Sequence, residues 1–320
     1  MMSIKILAND GIAIEGKQML EAAGYFVNTE KVAQDKLPLV LPGYDAILVR
    51  SATEVRKSVI DQCPNLKLIG RGGVGLDNID VDYARSKGIA VVNTPGASSQ
   101  SVAELTFAHL FNGVRFLHDA NRKMPEADAS GFEGLKKAYS GGRELSGKTL
   151  GIIGFGRIGQ AVARMAFGLG MGVKFADPLV AHADIEVRIG SQKIAIHLHP
   201  VSLDDLLKNA DFITLHIPGK KGSPPLIGKA ELEKMKKGSA IINTARGGVV
   251  DEIALLGSLN SGHIAFAGLD VFENEPQPSV ELLKHPAISL SPHIGASTLE
   301  GQIRTSTELA QRVIEHFREK

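Results

Sequence analysis

The sequence predicts an α/β protein: two doubly wound parallel-sheet domains with a cleft between them. Three observations carry this. Short apolar runs without polar alternation recur along the chain, amphipathic stretches separate them, and the whole pattern restarts near residue 149. A strand apolar on both faces, followed by a helical period, belongs to a parallel sheet covered on both sides. A length of 320 residues suits two such domains at roughly 150 residues each.

In chain order, Ile4–Ala8, Ala46–Val49, Lys67–Ile69 and Ala90–Val92 read as buried strands, with Gly16–Ala23 and Val81–Lys87 as helices between them. Asn93-Thr-Pro-Gly96 closes the first set. Ser101-Val-Ala-Glu104 has the form of a capping box and opens a helix to about Leu117. Lys123–Gly142 is polar and glycine-rich and reads as a long loop. Thr149–Ile153, Val173–Ala176, Phe212–Leu215, Ala240–Asn243 and Ala265–Leu269 are the second set of strands. Ala181–Pro200 reads as an extra strand or hairpin. A final helix, about 298–320, could pack on either domain, because periodicity alone does not choose.

Composition excludes several classes. The charges, 36 Lys+Arg against 35 Asp+Glu, leave no general attraction for nucleic acid or anionic membrane. No apolar run approaches the ~18 residues of a membrane span, and the single cysteine, Cys63, excludes an internal disulfide. Both fit a cytoplasmic protein. His197-x-His199 lacks the ligand spacing of a metal site, so no metal is expected. Lys220–Lys221 and Lys234–Lys237 read as solvated charge.

G-x-G-x-x-G occurs twice. Gly154-Phe-Gly156-Arg157-Ile158-Gly159 follows a strand and opens a helix, and the next strand ends in Asp177, eighteen positions on. Glycines at a helix N-terminus for the pyrophosphate, with a carboxylate for the ribose, make a dinucleotide site, and the carboxylate favours NAD over NADP. Gly70-Arg-Gly72-Gly73-Val74-Gly75 also follows a strand but runs into Asp77-Asn78-Ile-Asp80, and its matching strand end is Asn93. The residues leave open whether this loop is a plain turn or binds a ligand.

Three later strand ends carry reactive side chains: Arg246 in NTARGG, Glu275 in LDVFENEP and His293 in SPHIGA. Each alone also suits a surface ion pair, a helix-start carboxylate or a satisfied loop histidine. Beside a nicotinamide they form one machine. A histidine suits proton transfer near neutrality, and a neighbouring carboxylate stabilises the imidazolium and fixes its tautomer. An arginine fork binds a substrate carboxylate in two-pronged fashion.

These motifs in order resemble the D-2-hydroxyacid dehydrogenase family, most closely its phosphoglycerate-oxidising branch. The similarity runs from about Ile6 to Gln311 through VRSAT (49–53), GRGGVGLDNID (70–80), NTPGASSQSVAEL (93–105), GFGRIG, NTARGG, GLDVFENEP and SPHIGAST. The resemblance implies Arg246, Glu275 and His293 as the catalytic trio. It implies NAD contacts at Arg157, Ile158, Asp177, Thr244, Ala245, Arg246, Asp270, and His293 with Gly295 and Ala296. It assigns Gly73, Val74 and Gly75 to the substrate carboxylate, with Val74 also near the nicotinamide and Asn78 supporting the loop. Ile217 stands where relatives have Thr, so only a backbone contact is implied there.

The resemblance further implies a discontinuous arrangement. Residues 1–98, completed by 297–320, form the substrate domain and 99–296 the NAD domain, with a homodimer joined through the helix at 101–117 and the following loop. It implies a short form, without the serine-binding C-terminal domain of longer members. The expected reaction is NAD-dependent oxidation of D-3-phosphoglycerate to 3-phosphohydroxypyruvate in serine biosynthesis. Arg50 and Ser51 are the expected phosphate contacts, and Lys136, Lys137 or Arg143 are candidates for a second cation. A hydroxypyruvate or glyoxylate reductase, another D-2-hydroxyacid dehydrogenase such as a D-lactate enzyme, and an NAD-sensing corepressor scaffold are the rival readings.

Overall fold

The computed structural model describes residues 3–219 and 222–318. Lys220 and Lys221 therefore lie outside the described residues. The chain divides into two compact units: residues up to Ser99 with those from Ala296 onward, and Gln100–Gly295.

In the first unit β1 (Lys5–Ala8), α1 (Ile14–Ala22), β2 (Phe26–Asn28), α2 (Leu37–Val40), β3 (Ala46–Val49), α3 (Lys57–Ile60), β4 (Leu68–Arg71), α4 (Val81–Ser86) and β5 (Ala90–Asn93) alternate. The five strands are parallel in the order β2-β1-β3-β4-β5. Strand side chains alternate between two cores. Leu7, Ile47, Val49 and Ile69 pack with Val59 and Ile60 on one face. Ile6, Ala8, Leu48 and Leu68 pack on the other against Leu309, Ala310 and Val313 of the C-terminal helix Leu299–Arg318. Burial on both faces is why these strands read as unbroken apolar runs.

In the second unit come α5 (Ser99–Val114), α6 (Leu117–Lys123), α7 (Ala129–Ala138), β6 (Thr149–Ile153), α8 (Arg157–Gly168), β7 (Gly172–Ala176), β8 (Ala183–Ile189), β9 (Gln192–Leu198), α9 (Leu203–Asn209), β10 (Phe212–Leu215), α10 (Lys229–Lys234), β11 (Ser239–Asn243), α11 (Glu252–Asn260), β12 (Ile264–Leu269), α12 (Val280–Lys284) and β13 (Ile288–Leu290). Six of these strands form a parallel sheet in the order β13-β12-β11-β10-β6-β7. In each unit the strand order reverses once, between β1 and β3 and between β6 and β10. Ligands of open α/β sheets sit at the carboxyl ends of strands at such reversals.

The sequence reading differs from the structure in several places: β2 was not foreseen, and the helix expected to reach Leu117 ends at Val114, with Phe116 in a left-handed conformation (φ 56°) before α6. The expected loop 123–142 is largely helical. Asp128 caps α7 by accepting from Gly131 N at 2.7 Å, and the Tyr139 and Phe116 rings stack with centroids 5.6 Å apart. Gly131 and Gly134 disguised that helix. The expected capping box is also displaced: α5 already starts at Ser99, and Glu104 instead accepts from Gln100 Nε2 at 2.8 Å. Residues 183–198 form an antiparallel hairpin, with Ala183, Ile185 and Val187 buried and most of β9 exposed. His197 Nδ1 lies 2.7 Å from Asp184 on this hairpin. Among the described residues no helix is long and apolar enough to cross a membrane, and no group of three or more His, Cys, Asp or Glu could hold a metal.

Candidate active site

Three of the glycines of the second loop each perform a separate task. Gly154 has φ +89°, and a Cβ there would lie 2.5 Å from the His216 carbonyl oxygen. A Cβ on Gly159 would lie 2.3 Å from Gly154 O, so its absence lets α8 start hard against the strand end. Gly156 has open space around it and no side chain caps α8. The first N–H groups of α8 are thus presented beside a backbone that a phosphate can approach. Asp177 follows β7. Its Oδ2 accepts from Phe155 N at 2.7 Å and its Oδ1 from Leu179 N at 2.8 Å. One carboxylate therefore pins the glycine loop from the end of β7. Arg157 is exposed, Ile158 packs on the core, and Ile217 packs beside Gly154. An uncapped helix, a cradle that a Cβ would fill and an acidic strand end fit a bound dinucleotide.

His216, directly after β10, is a residue the sequence reading passed over. Its Nε2 lies 3.0 Å from Thr214 Oγ1. Burial pushes its pKa from 6.5 down to about 3, so the ring stays neutral. The unfolded chain takes up this proton below pH 6.5 while the native state refuses it until about pH 3, so native stability falls as pH drops through that window. At pH 5 the cost is ~2 kcal/mol. Urea midpoints at pH 7 and pH 5 should separate more for the wild type than for His216→Gln. Equal separations would show that this ring does not govern the acid limb.

The candidate acid–base pair sits on two strand-end loops of the second unit. His293 Nδ1 lies 2.8 Å from Glu275 Oε2, and Glu275 Oε1 accepts from Phe272 N at 2.9 Å. The carboxylate is thus oriented by the backbone before it meets the ring, and Nε2 is the ring nitrogen left to face a substrate. His293 has φ +56°, a left-handed conformation uncommon for a residue with a side chain. Asp270 holds this turn. It is 1% exposed, and its Oδ1 accepts from Ile294 N and its Oδ2 from Gly295 N, both at 2.8 Å. His293 N donates to its backbone carbonyl.

Arg246 extends from the loop after β11. Asn243 shapes that loop by accepting from Ala245 N at 3.0 Å and donating to Arg246 O at 2.9 Å. Arg246 Nη1 donates to Ala245 O at 2.7 Å. Thr244 is buried, with its hydroxyl 3.2 Å from that of Thr106 on α5.

In the first unit the other candidates follow β3 and β4 at their carboxyl ends. Gly73 has φ +144°, and a Cβ there would lie 1.5 Å from Arg71 Nη1, so only glycine lets that guanidinium lie against the loop. Asn93 Nδ2 donates to Val74 O at 2.7 Å, while Gly75 is half-buried. Asn78 does more than support its own loop: its Nδ2 donates to Arg50 O at 2.8 Å and Thr53 O at 2.6 Å. From the opposite side Asp10 Oδ2 accepts from Arg50 N at 2.7 Å and Thr53 N at 3.0 Å, and Oδ1 from Thr53 Oγ1 at 2.6 Å and Lys31 Nζ at 2.9 Å. Burial opposes ionisation of Asp10. The bonds from Thr53, Lys31 and Arg50 N outweigh it and hold the carboxyl below its ordinary range. The loop 50–53 is clamped at both its N–H and C=O groups. Arg50 and Ser51 line a cavity of about 420 Å³ together with Asp10 and Lys31. Ala296 and Ser297, where the chain re-enters the first unit, are exposed.

Asp10 and Arg71 were missed by the sequence reading. Arg71 had a signal, since it ends a strand beside Arg50's strand. Of the second-cation candidates, Arg143 is engaged elsewhere. Arg143 Nη1 donates to Gly238 O at 2.6 Å, and its guanidinium lies over Phe212 and Phe266. Lys136 pairs with Glu133 at 3.7 Å on α7, whose next residue is Lys137.

A dinucleotide cradle with a histidine–carboxylate pair defines a nicotinamide-dependent dehydrogenase. Comparison with known proteins narrows the class. The family described as "D-isomer specific 2-hydroxyacid dehydrogenase, NAD binding domain" matches residues 107–295. The chain is 41% identical to a hydroxypyruvate reductase of Thermotoga maritima, across 99% of both chains. It is 38% identical to a D-3-phosphoglycerate dehydrogenase of Bacillus subtilis, across 97% of this chain and 56% of that one. It thus spans only about half the length of that relative. A crystal structure of a glyoxylate reductase from Paecilomyes thermophila superposes with a TM-score of 0.78 at 31% identity, across 100% of this chain and 95% of that one. The chain belongs to the D-isomer specific 2-hydroxyacid dehydrogenase family and is an NAD-dependent enzyme.

Proposed function

We propose that the enzyme oxidises D-3-phosphoglycerate to 3-phosphohydroxypyruvate, the entry to serine biosynthesis. The observation that carries this is the pair of arginines at adjacent strand ends. Arg71 is the last residue of β4 and pairs in register with Val49, the residue before Arg50. A phosphate with roughly two negative charges favours such guanidinium partners. The Ser51 hydroxyl and the clamped backbone of residues 50–53 add donors.

In this reading the first unit binds substrate and the second binds NAD. The chemistry NAD supplies when bound is acceptance of a hydride. The protein's own residues do the rest. Arg246 holds the substrate carboxylate and polarises the neighbouring oxygen. His293 Nε2 takes the hydroxyl proton in oxidation and returns it in reduction, while Glu275 stabilises the imidazolium and fixes Nδ1–H. Asp177 receives the ribose hydroxyls. The chain works as a cytoplasmic homodimer in this reading. Phe111, Leu117, Met124 and Phe132, each more than 40% exposed on or beside α5–α7, supply the apolar face, and sedimentation would report the dimer.

Hydroxypyruvate reduction is the second reading, favoured by the full-length similarity to the Thermotoga maritima enzyme. The discriminating experiment is Arg50→Ala, assayed with phosphoglycerate and with an unphosphorylated 2-hydroxy acid. KM for phosphoglycerate should rise at least tenfold more than KM for the other, since a hydrogen bond to a charged group contributes ~1.5–3 kcal/mol. Equal rises on both substrates would discard the phosphate assignment and leave the reductase reading.

A further inference from the structure

Helix α5 carries a titratable side chain that the proposed reaction does not use. His109 is 3% exposed. Its ring bridges two serines at the end of β13: Nδ1 lies 2.8 Å from Ser289 Oγ, and Nε2 lies 2.9 Å from Ser291 Oγ.

The proton positions follow from the two ends of the chain. Ser291 Oγ donates to Asp270 Oδ1 at 2.6 Å. A hydroxyl has one proton, so towards His109 the Ser291 oxygen accepts, and Nε2 carries the ring proton. At the far end Asn112 Nδ2 donates to Ser289 Oγ at 2.8 Å, which leaves Ser289 to donate to Nδ1. The sequence Asn112, Ser289, His109, Ser291, Asp270 thus donates in one direction and ends on a carboxylate that only accepts. Burial pushes the His109 pKa down and Asp270 partly offsets it, which favours the neutral ring that this ordering needs. Room for the ring comes from β12. A Cβ on Gly268 would lie 2.6 Å from His109 Cβ and 2.9 Å from its Cγ.

Asp270 is the same residue that receives Ile294 N and Gly295 N and shapes the turn carrying His293. We propose that His109 is a positioning residue: through Ser291 it fixes the Asp270 carboxylate, and through Asp270 the turn that presents His293. This rests on reading His293 as the acid–base group.

A histidine that merely fills the core makes different predictions from one that donates. His109→Leu keeps the volume and deletes the donor, and His109→Gln keeps an N–H near the Nε2 position. With thermal midpoints matched, His109→Leu should lower kcat by up to about tenfold, the upper end for one buried hydrogen bond between neutral groups. His109→Gln should return to within about threefold of wild type. Ser291→Ala should resemble His109→Leu, and the double variant should be no worse than either, because both cut one chain. Equal kcat in the Leu and Gln variants, or additive losses in the double variant, would overturn the proposal. A reading independent of turnover comes from nitrogen NMR of the full chain without nucleotide. His109 Nδ1 should show the shift of an unprotonated nitrogen and Nε2 that of a protonated one, unchanged from pH 8 to pH 6. A proton on Nδ1 would overturn the relay whatever the activities. If His293→Ala proves active, the acid–base reading falls, while the tautomer result still judges the relay by itself.

Discussion

His293→Ala should lower kcat by at least 10²-fold and leave the Kd for NADH within a few-fold of wild type. General acid–base catalysis contributes roughly 10²–10⁴ in rate, and the ring nitrogen that performs it is the one not engaged by Glu275. The glycine cradle and Asp177 are untouched by this change, so the nucleotide loses little. Glu275→Gln should fall between the two enzymes. It keeps an oxygen able to accept from Nδ1 but removes the charge that stabilises the imidazolium, at a loss of about 10-fold or more. Stopped-flow turnover and NADH fluorescence titration on the three proteins give both numbers. An active His293→Ala enzyme would move the proton transfer to another group.

Asp177→Ala should lower kcat/KM for NAD on the order of 10²-fold and change NADP little, so a preference of at least tenfold for NAD narrows or disappears. The effect exceeds one ribose contact, because Asp177 Oδ2 also accepts from Phe155 N inside the glycine loop. Truncation leaves that N–H without its partner and loosens the cradle, and a lost bond to a charged acceptor alone costs ~1.5–3 kcal/mol. Asp177→Asn separates the two roles. It still offers an oxygen to Phe155 N and removes the repulsion of a 2′-phosphate. Its NAD efficiency should lie between wild type and Asp177→Ala, with the largest gain on NADP. Comparable kcat/KM for both nucleotides in the wild-type enzyme would remove Asp177 as the selector.

Much of this was legible in the sequence because it is local. Buried parallel strands such as Ala46–Val49 and Phe212–Leu215 announce themselves as apolar runs, and the first of them places Arg50 directly at its end. The glycines at 154, 156 and 159 and the acid at 177 lie within one βαβ unit, so their spacing encodes the geometry. Residues 123–142 misled because glycines at 131 and 134 suppress the helical signal, whereas the Asp128 cap and the Phe116–Tyr139 stack that secure it are a local detail and a tertiary contact. Asp10 was invisible for a related reason. Nothing in ILANDG says that its carboxylate will reach forty residues along the chain to Arg50 N and Thr53. The His109 relay likewise joins partners about 180 residues apart, and no periodicity reports such a pairing.

The clamp on residues 50–53 bears on how substrate range could be redrawn. Its N–H groups are tied by Asp10 and its carbonyls by Asn78, both from the first unit. The tetrapeptide is therefore a cartridge with its own mountings. Side chains at 50 and 51 can be exchanged without re-folding the loop, whereas Thr53 cannot, because its hydroxyl is part of the mounting. A transplant of this segment into a relative should succeed only where an aspartate and an asparagine stand ready to receive it, and a chimera that lacks either would present the right residues on the wrong curve.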